Sequence, residues 1–351
     1  MIYLISQDWI NTTNNHTGIK YLANELEKQY PNKYVSIFIP DLMSETVTSS
    51  NRIIRKVQQK YYNIIFHQYI NKLIKNLLPR LTSSDCVVLL EYLEKSTPQL
   101  KIAQAVKQYN KNIPVYAMVH LIPRKYDKSF TEKELSVWVN PIDKFITLGH
   151  SLSEYFIKRG IPNNKIFTTF HYVDNFYIKS TANVQCHDKI RIIAMGNQAR
   201  NIPLLSEIVK KNPEVFFIIC QGCLNLSHIF DHYKNVQLIP YVEENKLKQY
   251  MDDSDISLNS MEDTVGSNVI VTSMAMGLAM ICSDVGSIRD YCNEQNTLFC
   301  KNDAESFSKA IATLNTDREL LKKMKLSAAY FGAKLNIKNF EKDFYNIIQD
   351  K

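Results

Sequence analysis

The sequence predicts an α/β protein built from two doubly wound parallel sheets. Strand-like apolar runs alternate with helical patterns along the chain, which is typical of parallel sheets covered on both faces. The 351 residues are enough for two domains of ordinary size. Twelve strand candidates are more than one ordinary sheet holds, so we expect two doubly wound domains.

Each strand candidate is a short apolar run rich in Val, Ile, Leu and aromatic residues. These runs are residues 2–6, 34–39, 86–90, 115–120, 144–148, 166–169, 189–195, 215–220, 236–239, 256–258, 279–283 and 297–299. Helical patterns lie between them, for example at 18–29, 100–108, 152–159 and 203–211. A last helix at 338–349 carries one apolar stripe. The polar stretch 175–188 lacks periodicity, so we expect domains at 1–175 and 176–337, followed by residues 338–351 as a closing helix.

The composition excludes several classes of protein. An apolar content of 45% and a charged content of 22% are typical of a soluble globular protein. No apolar run approaches the roughly 20 residues that cross a bilayer. The N-terminus lacks a basic region and a cleavage site, which indicates a first strand rather than a signal peptide. Seven scattered cysteines predict reduced thiols in the cytoplasm.

The charge is concentrated in the N-terminal half. Residues 1–180 carry a net charge of +9 and the remainder carries −2. Within that half, residues 51–80 hold seven Lys or Arg and no acid, interleaved with aromatic and aliphatic residues. This pattern favours an anionic membrane surface as partner, although a core-facing helix pair with a basic solvent face would look similar. No motif for nucleic-acid recognition is present, so we expect no nucleic-acid partner.

Two sites in the N-terminal half are candidates for ligand binding. Gly18 follows a strand and a polar loop and would open a helix, whose N-terminal amides suit a phosphate. His120 ends a strand, where ligands of open α/β sheets bind. A histidine there can donate a hydrogen bond to a sugar hydroxyl or a phosphate. An ordinary turn at Gly18 and a structural role for His120 stay open.

In the C-terminal half, Gly196 ends a strand and Arg200 follows in a polar loop, where a guanidinium could grip a diphosphate. A second loop, Gly266-Ser267-Asn268, opens a helix. The C-x-x-C pair Cys220 and Cys223 has no matching second pair for zinc, so we expect no metal site.

Four segments occur in the order of a known family. "HSLSEYFIKRGIPNNKIFTTFHYVDNFYI", "IAMGNQARNIPLL", "NVQLIPYVEENKLKQYMDDSDISLNSMED" and "SNVIVTSMAMGLAMICSDVGSIRDY" resemble the retaining glycosyltransferases of family 4. The resemblance covers nearly the whole chain. It implies the GT-B fold, with a cleft between two Rossmann-like domains and the last helix crossing back to the first.

The resemblance also implies an activity: retaining, hexosyl-type transfer from a nucleotide sugar held by the C-terminal domain to an acceptor held by the N-terminal one. A glycan acceptor, with lipid-linked forms included, indicates bacterial surface polysaccharide or glycoconjugate synthesis at the inner face of the cell membrane. No cofactor or metal is implied, and a UDP-sugar is favoured over a GDP-sugar.

The resemblance assigns individual residues to this site. His120 falls at the position of a catalytic histidine, and Gly18 lies on the loop that approaches the diphosphate. Donor contacts fall at Gly196, Asn197, Arg200, Tyr241, Gly266, Ser267, Asn268 and Val269.

The sequence departs from the family at three positions. Asn197 replaces one of two basic residues, and the paired glutamates fall at Thr264 and Thr272, or at Asp263 and Thr272 if one residue is inserted. A threonine brings no charge and a shorter reach. A catalytically weak GT-B module that binds a glycan or a partner enzyme is therefore the alternative. A Rossmann-type dehydrogenase is disfavoured because the G-x-G-x-x-G fingerprint is absent.

Overall fold

The computed structural model describes residues 1–9, 16–180 and 186–350. Most of the polar loop before Gly18 and the centre of the predicted interdomain stretch lie outside the described residues. The chain divides into two compact units. The first comprises Met1–Thr147, Tyr155–Phe167 and Asp350, and the second comprises Leu148–Glu154 and Thr168–Gln349. The predicted domain boundary at 175/176 and the path of the last helix stay predictions.

The first unit is built on a six-stranded sheet of order β2-β1-β3-β4-β5-β6. Its strands are β1 (Ile2–Asp8), β2 (Tyr34–Pro40), β3 (Cys86–Leu89), β4 (Val115–Val119), β5 (Lys144–Thr147) and β6 (Ile166–Thr168). Its helices are α1 (Ile19–Gln29), α2 (Leu42–Thr46), α3 (Arg52–Leu77), α4 (Gln99–Tyr109), α5 (Pro123–Ser129) and α6 (Glu132–Val139), with α7 (His150–Lys158) divided between the units. β1 pairs in parallel with both β2 and β3, so the strand order reverses between β1 and β3.

The second unit has a six-stranded parallel sheet of order β12-β11-β10-β7-β8-β9. Its strands are β7 (Arg191–Ala194), β8 (Phe216–Cys220), β9 (Val236–Ile239), β10 (Ile256–Asn259), β11 (Ala279–Ser283) and β12 (Thr297–Cys300). Its helices are α8 (Ile202–Lys211), α9 (Ser227–Phe230), α10 (Glu244–Asp252), α11 (Asn268–Ala275), α12 (Ile288–Tyr291), α13 (Ala304–Thr316), α14 (Arg318–Gly332) and α15 (Ile337–Gln349). This is the order of the Rossmann fold, and its switch point lies between β7 and β10.

Alternate residues of the second sheet face two separate cores. Ile192 belongs to the core on one face and its neighbour Ile193 to the core on the other. Because both faces are covered, the strands are continuous apolar runs. The prediction of two doubly wound sheets is confirmed. Each of the twelve predicted strands is present in the described part of the chain, with ends within two residues of those predicted.

The basic segment 51–80 contains one long helix, α3, rather than a helix pair. Only Ile70 and Leu77 of α3 are buried, so most of the helix faces solvent. None of the helices in the described part of the chain combines the length and the apolarity that a membrane span requires.

Candidate functional site

The switch point of the second sheet places two loops side by side. Gly196 to Asn201 follow β7, and Ser260 to Ser267 follow β10. The loops are joined by hydrogen bonds from Asn201 N to Ser260 O (3.0 Å) and from Glu262 N to Ala199 O (2.8 Å). Ligands of open α/β sheets bind at such a point, so the second-unit loops form a candidate binding site.

Helix α11 begins at this site. Ser267 is its N-cap residue in an extended conformation, and its hydroxyl makes no capping hydrogen bond. The amides of the first turn, at Asn268 and Val269, are therefore available to an anion. Gly266, with φ of +126°, is required before this helix because an added Cβ would lie 2.9 Å from Tyr291 Oη and 2.8 Å from Leu148 Cβ.

Arg200 brings a positive charge to the same place. A Cβ added at Gly196 would lie 3.3 Å from Arg200 Nη2 and 2.8 Å from Val269 Cγ2, so the guanidinium and the start of α11 both flank Gly196. Burial lowers the pKa of Arg200 to about 10. Among residues 1–9, 16–180 and 186–350, no carboxylate lies within ion-pair distance of this guanidinium. An anionic ligand would supply the missing counter-charge.

Asn197 lies in the same loop but serves another purpose. With its amide oriented to satisfy both bonds, Nδ2 donates to Gln221 O at 3.0 Å and Oδ1 accepts from Cys223 N at 3.0 Å. Between them, Gly222 has φ of +55°, and a Cβ there would lie 2.5 Å from the side-chain amide of Asn197. The Asn197 side chain therefore holds the turn after β8. Burial raises the pKa of Cys220 to about 12, so its thiol lacks the acidity of a redox cysteine.

The candidates for the paired acids lie nearby. Asp263 Oδ1 accepts a hydrogen bond from Thr264 N at 2.8 Å, and burial raises the pKa of this carboxyl. Thr264 is buried, with 6% of its surface exposed, and its carbonyl accepts from Ser287 N at 2.7 Å. Thr272 lies half-buried in the second turn of α11. Tyr241, in the turn after β9, is 61% exposed.

A second layer of residues behind the loop was not singled out in the sequence. Gly286, with φ of +54°, crosses Thr264 so closely that a Cβ would lie 2.2 Å from its carbonyl oxygen. His171 is buried and hydrogen-bonded to the Asn268 side chain, and burial lowers its pKa to about 4. A neutral imidazole therefore supports Asn268 at pH 7. The glycine of "DVGS" was the available signal for Gly286, whereas nothing local marks His171.

The other two predicted residues lie on the first unit. Gly18 is the N-cap residue of α1, with an ordinary extended conformation. His120 directly follows β4, and its Nε2 lies 3.4 Å from Glu94 Oε1. Behind this pair, Glu91 accepts hydrogen bonds from Ser6 Oγ (2.8 Å) and from Gln99 Nε2 (3.1 Å).

The two sheets and the second-unit site define the class of fold as GT-B, the two-domain α/β architecture of many glycosyltransferases. Residues 193–317 match the family described as glycosyl transferases group 1, which supports a glycosyltransferase. This match contains the second-unit loops and α11. No curated protein matches the chain.

Solved structures resemble the chain over its full length. HepE of Anabaena in complex with UDP-glucose is 11% identical with a TM-score of 0.73, over 100% of this chain and 99% of that one. Sucrose-phosphate synthase of Thermosynechococcus elongatus is 13% identical with a TM-score of 0.72, over 99% and 98%. The lipopolysaccharide outer core galactosyltransferase WaaB, in its apo form, is 14% identical with a TM-score of 0.68, over 99% of each chain. At these identities the likeness is one of fold.

Proposed function

We propose that the protein is a retaining glycosyltransferase of family 4 that transfers a hexose from a UDP-sugar to a glycan acceptor, lipid-linked or free, in bacterial surface polysaccharide synthesis. The observation that carries this proposal is Arg200, a guanidinium without a carboxylate partner in the described residues, next to the uncapped start of α11. These two features suit a diphosphate, which carries negative charge and accepts hydrogen bonds. HepE, a protein of the same fold, has been crystallised with UDP-glucose.

In this proposal the diphosphate binds at the amides of α11 and at Arg200. Negative charge builds up on the leaving UDP as the bond to the sugar breaks, and fixed positive dipoles and charges stabilise it there. Because this stabilisation comes from the chain itself, we propose that no metal is required and expect activity to persist in EDTA. His120 would contact the transferred sugar, and Asp263 with Thr272 would take the places of the paired acids.

The test is calorimetric titration with UDP and GDP, followed by assays with a panel of UDP-hexoses and NMR of the product anomer. We expect UDP to bind and one UDP-hexose to turn over with its anomeric configuration kept. Absence of any nucleotide binding would overturn the proposal, and an inverted product would overturn its retaining part.

A second candidate, a catalytically weak GT-B module, is favoured by one observation. The Asn197 amide is committed to the turn at Gly222, so the position of the second basic residue contributes no charge to the site. This candidate predicts UDP binding without turnover of any donor. If the unaltered protein turned over any donor faster than the Arg200→Met variant does, this second candidate would be excluded.

We also propose that α3 holds the enzyme on the anionic inner face of the cell membrane. Five of its apolar side chains, each between 51% and 75% exposed, recur at helical spacing on one face: Ile53, Ile54, Val57, Tyr61 and Ile64. Ile70 and Leu77 are buried on the opposite face. Lys56 and Lys60 flank the exposed stripe, and no acid interrupts it. An apolar stripe bordered by lysines suits the boundary between headgroups and acyl chains.

Vesicle co-sedimentation tests this membrane role. We expect binding to vesicles with 30% phosphatidylserine and little binding to pure phosphatidylcholine. The double variant Lys56→Gln/Lys60→Gln should weaken binding by about tenfold or more, since each lysine near the surface contributes about 1 kcal/mol. The matched control is Lys309→Gln/Lys323→Gln, which removes the same charge from the second unit. Equal binding to both vesicle types, or equal loss in the control, would overturn the proposal.

A further inference from the structure

The carboxyl ends of β3 and β4 bring an unassigned acid to His120. β3 and β4 are parallel neighbours, so the residues that follow them lie at the same edge of the sheet. His120 Nε2 lies 3.4 Å from Glu94 Oε1, with side chains 26% and 18% exposed. This edge is also where the strand order of the first sheet reverses, between β1 and β3. The pair therefore occupies the expected ligand-binding edge of the first unit.

The backbone around Glu94 is fixed from both sides. Leu93 has φ of +61°, a left-handed conformation that is rare for a branched residue, and its side chain is 1% exposed. On the other side, Thr97 donates from both N and Oγ1 to Glu94 O at 2.9 Å. A chain that holds an unfavourable conformation in a packed turn is constrained by its surroundings. The result is a carboxylate aimed at the imidazole.

The turn that carries His120 is fixed as well. Tyr126, which is 1% exposed, accepts a hydrogen bond from Leu121 N at 3.1 Å and another from the His120 backbone. The ionisable groups that face the Glu94 carboxyl in the described residues are His120, Glu91 and Tyr126. Burial raises the pKa of Glu94 to about 7.

We propose that Glu94 is a positioning residue that orients the imidazole of His120 and keeps it protonated. A carboxylate close to Nε2 favours the protonated nitrogen and raises the pKa of the imidazole. The protonated ring has an N–H donor on each nitrogen and no lone pair, so it can donate a hydrogen bond to an oxygen of the sugar. The inference rests on the proposed function, in which His120 contacts the transferred sugar. No local pattern in the sequence marks Glu94, because the contact joins residues 26 positions apart in the chain.

The experiment is a pH titration of the His120 ring by NMR in the nucleotide-free protein, with His120→Asn to assign the signal. Glu94→Gln, which keeps the size of the side chain, should lower the imidazole pKa by about one unit. In assays the same variant should lower kcat by about tenfold and change KM by less than about threefold. The alkaline limb of its pH–rate profile should move to lower pH by about one unit, as the imidazole pKa does. Glu45→Gln, the control, removes an exposed carboxylate from the same unit. It should change neither the His120 pKa nor the kinetic constants and pH–rate profile.

An unchanged His120 pKa in Glu94→Gln would overturn the proposal, and so would a loss of kcat without a moved pH profile. Because the NMR titration needs no nucleotide and no turnover, its outcome is independent of whether the protein is a glycosyltransferase. If the His120 pKa falls and no donor turns over, the positioning role stands and the proposed function fails.

Discussion

Arg200 offers a prediction in which stability and ligand affinity change in opposite directions. One pKa unit corresponds to about 1.4 kcal/mol, so a guanidinium pKa of about 10 instead of 12.5 means that burial destabilises the charged form by about 3 kcal/mol. No carboxylate in the described residues compensates for this cost. Arg200→Met keeps the length of the side chain and removes the charge. We expect the free energy of unfolding of the nucleotide-free protein to rise by about 1 kcal/mol or more.

The same substitution should weaken UDP binding. A charge-assisted hydrogen bond contributes about 1.5–3 kcal/mol, which corresponds to an increase in Kd of roughly 10- to 100-fold. Urea denaturation and calorimetric titration with UDP measure the two quantities. The control is Arg318→Met in the same unit, because Arg318 donates to the carbonyls of His187 and Asp188. That variant should lose stability and keep its UDP affinity. If Arg200→Met loses stability and binds UDP normally, then Arg200 is a structural group and the reasoning is wrong.

Three further substitutions test the packing, the electrostatics and the donor contacts. Gly286→Ala should lower the free energy of unfolding by about 2–4 kcal/mol, because its backbone is left-handed and the new Cβ would meet a backbone oxygen. Gly160→Ala, with φ of +85° and open space around it, should cost only about 1 kcal/mol in the same urea titration. Burial raises the pKa of Glu91 from 4.5 to about 8, so the folded state binds the extra proton and stability falls as pH rises between these values. Glu91→Gln should remove up to about 1.4 kcal/mol per pH unit of that slope in urea titrations at pH 5.5, 6.5 and 7.5; an unchanged slope would contradict the burial argument. Thr272→Glu should tighten UDP binding by about tenfold through a charged contact to the ribose, and unchanged affinity would place Thr272 away from the nucleotide.

The strands and their order were predictable, because the apolar runs that form them are local and continuous. Twelve runs marked the twelve strands in the described part of the chain, and the order of motifs placed Gly196 and Gly266 in the loops that meet at the switch point. The start of α11 followed from the polar sequence before its small-residue run. These features depend on neighbours within about ten positions, and such neighbours are visible in a sequence.

The second layer of contacts was not predictable, because its partners are far apart in the chain. Glu91 bonds to Ser6 across 85 positions, and Arg200 lies beside Val269. The left-handed conformation of Leu93 is also hidden, since leucine gives no signal for it. Whether Thr264 and Thr272 contact a donor stays a prediction, as do the roles of Tyr241 and Gly18.

The two hydrogen bonds of Asn197 constrain how this site could change over evolutionary time. A lysine or arginine at position 197 would add a charge for the diphosphate, but it cannot both donate to Gln221 O and accept from Cys223 N. The same substitution would remove the two hydrogen bonds that hold the turn at Gly222. A gain in charge therefore requires a second, compensating change in the turn after β8, and neither change alone is neutral. Position 197 and the turn after β8 therefore depend on one another. Replacing Asn197 alone with a basic residue should fail, and the replacement should succeed only together with a compensating change in that turn.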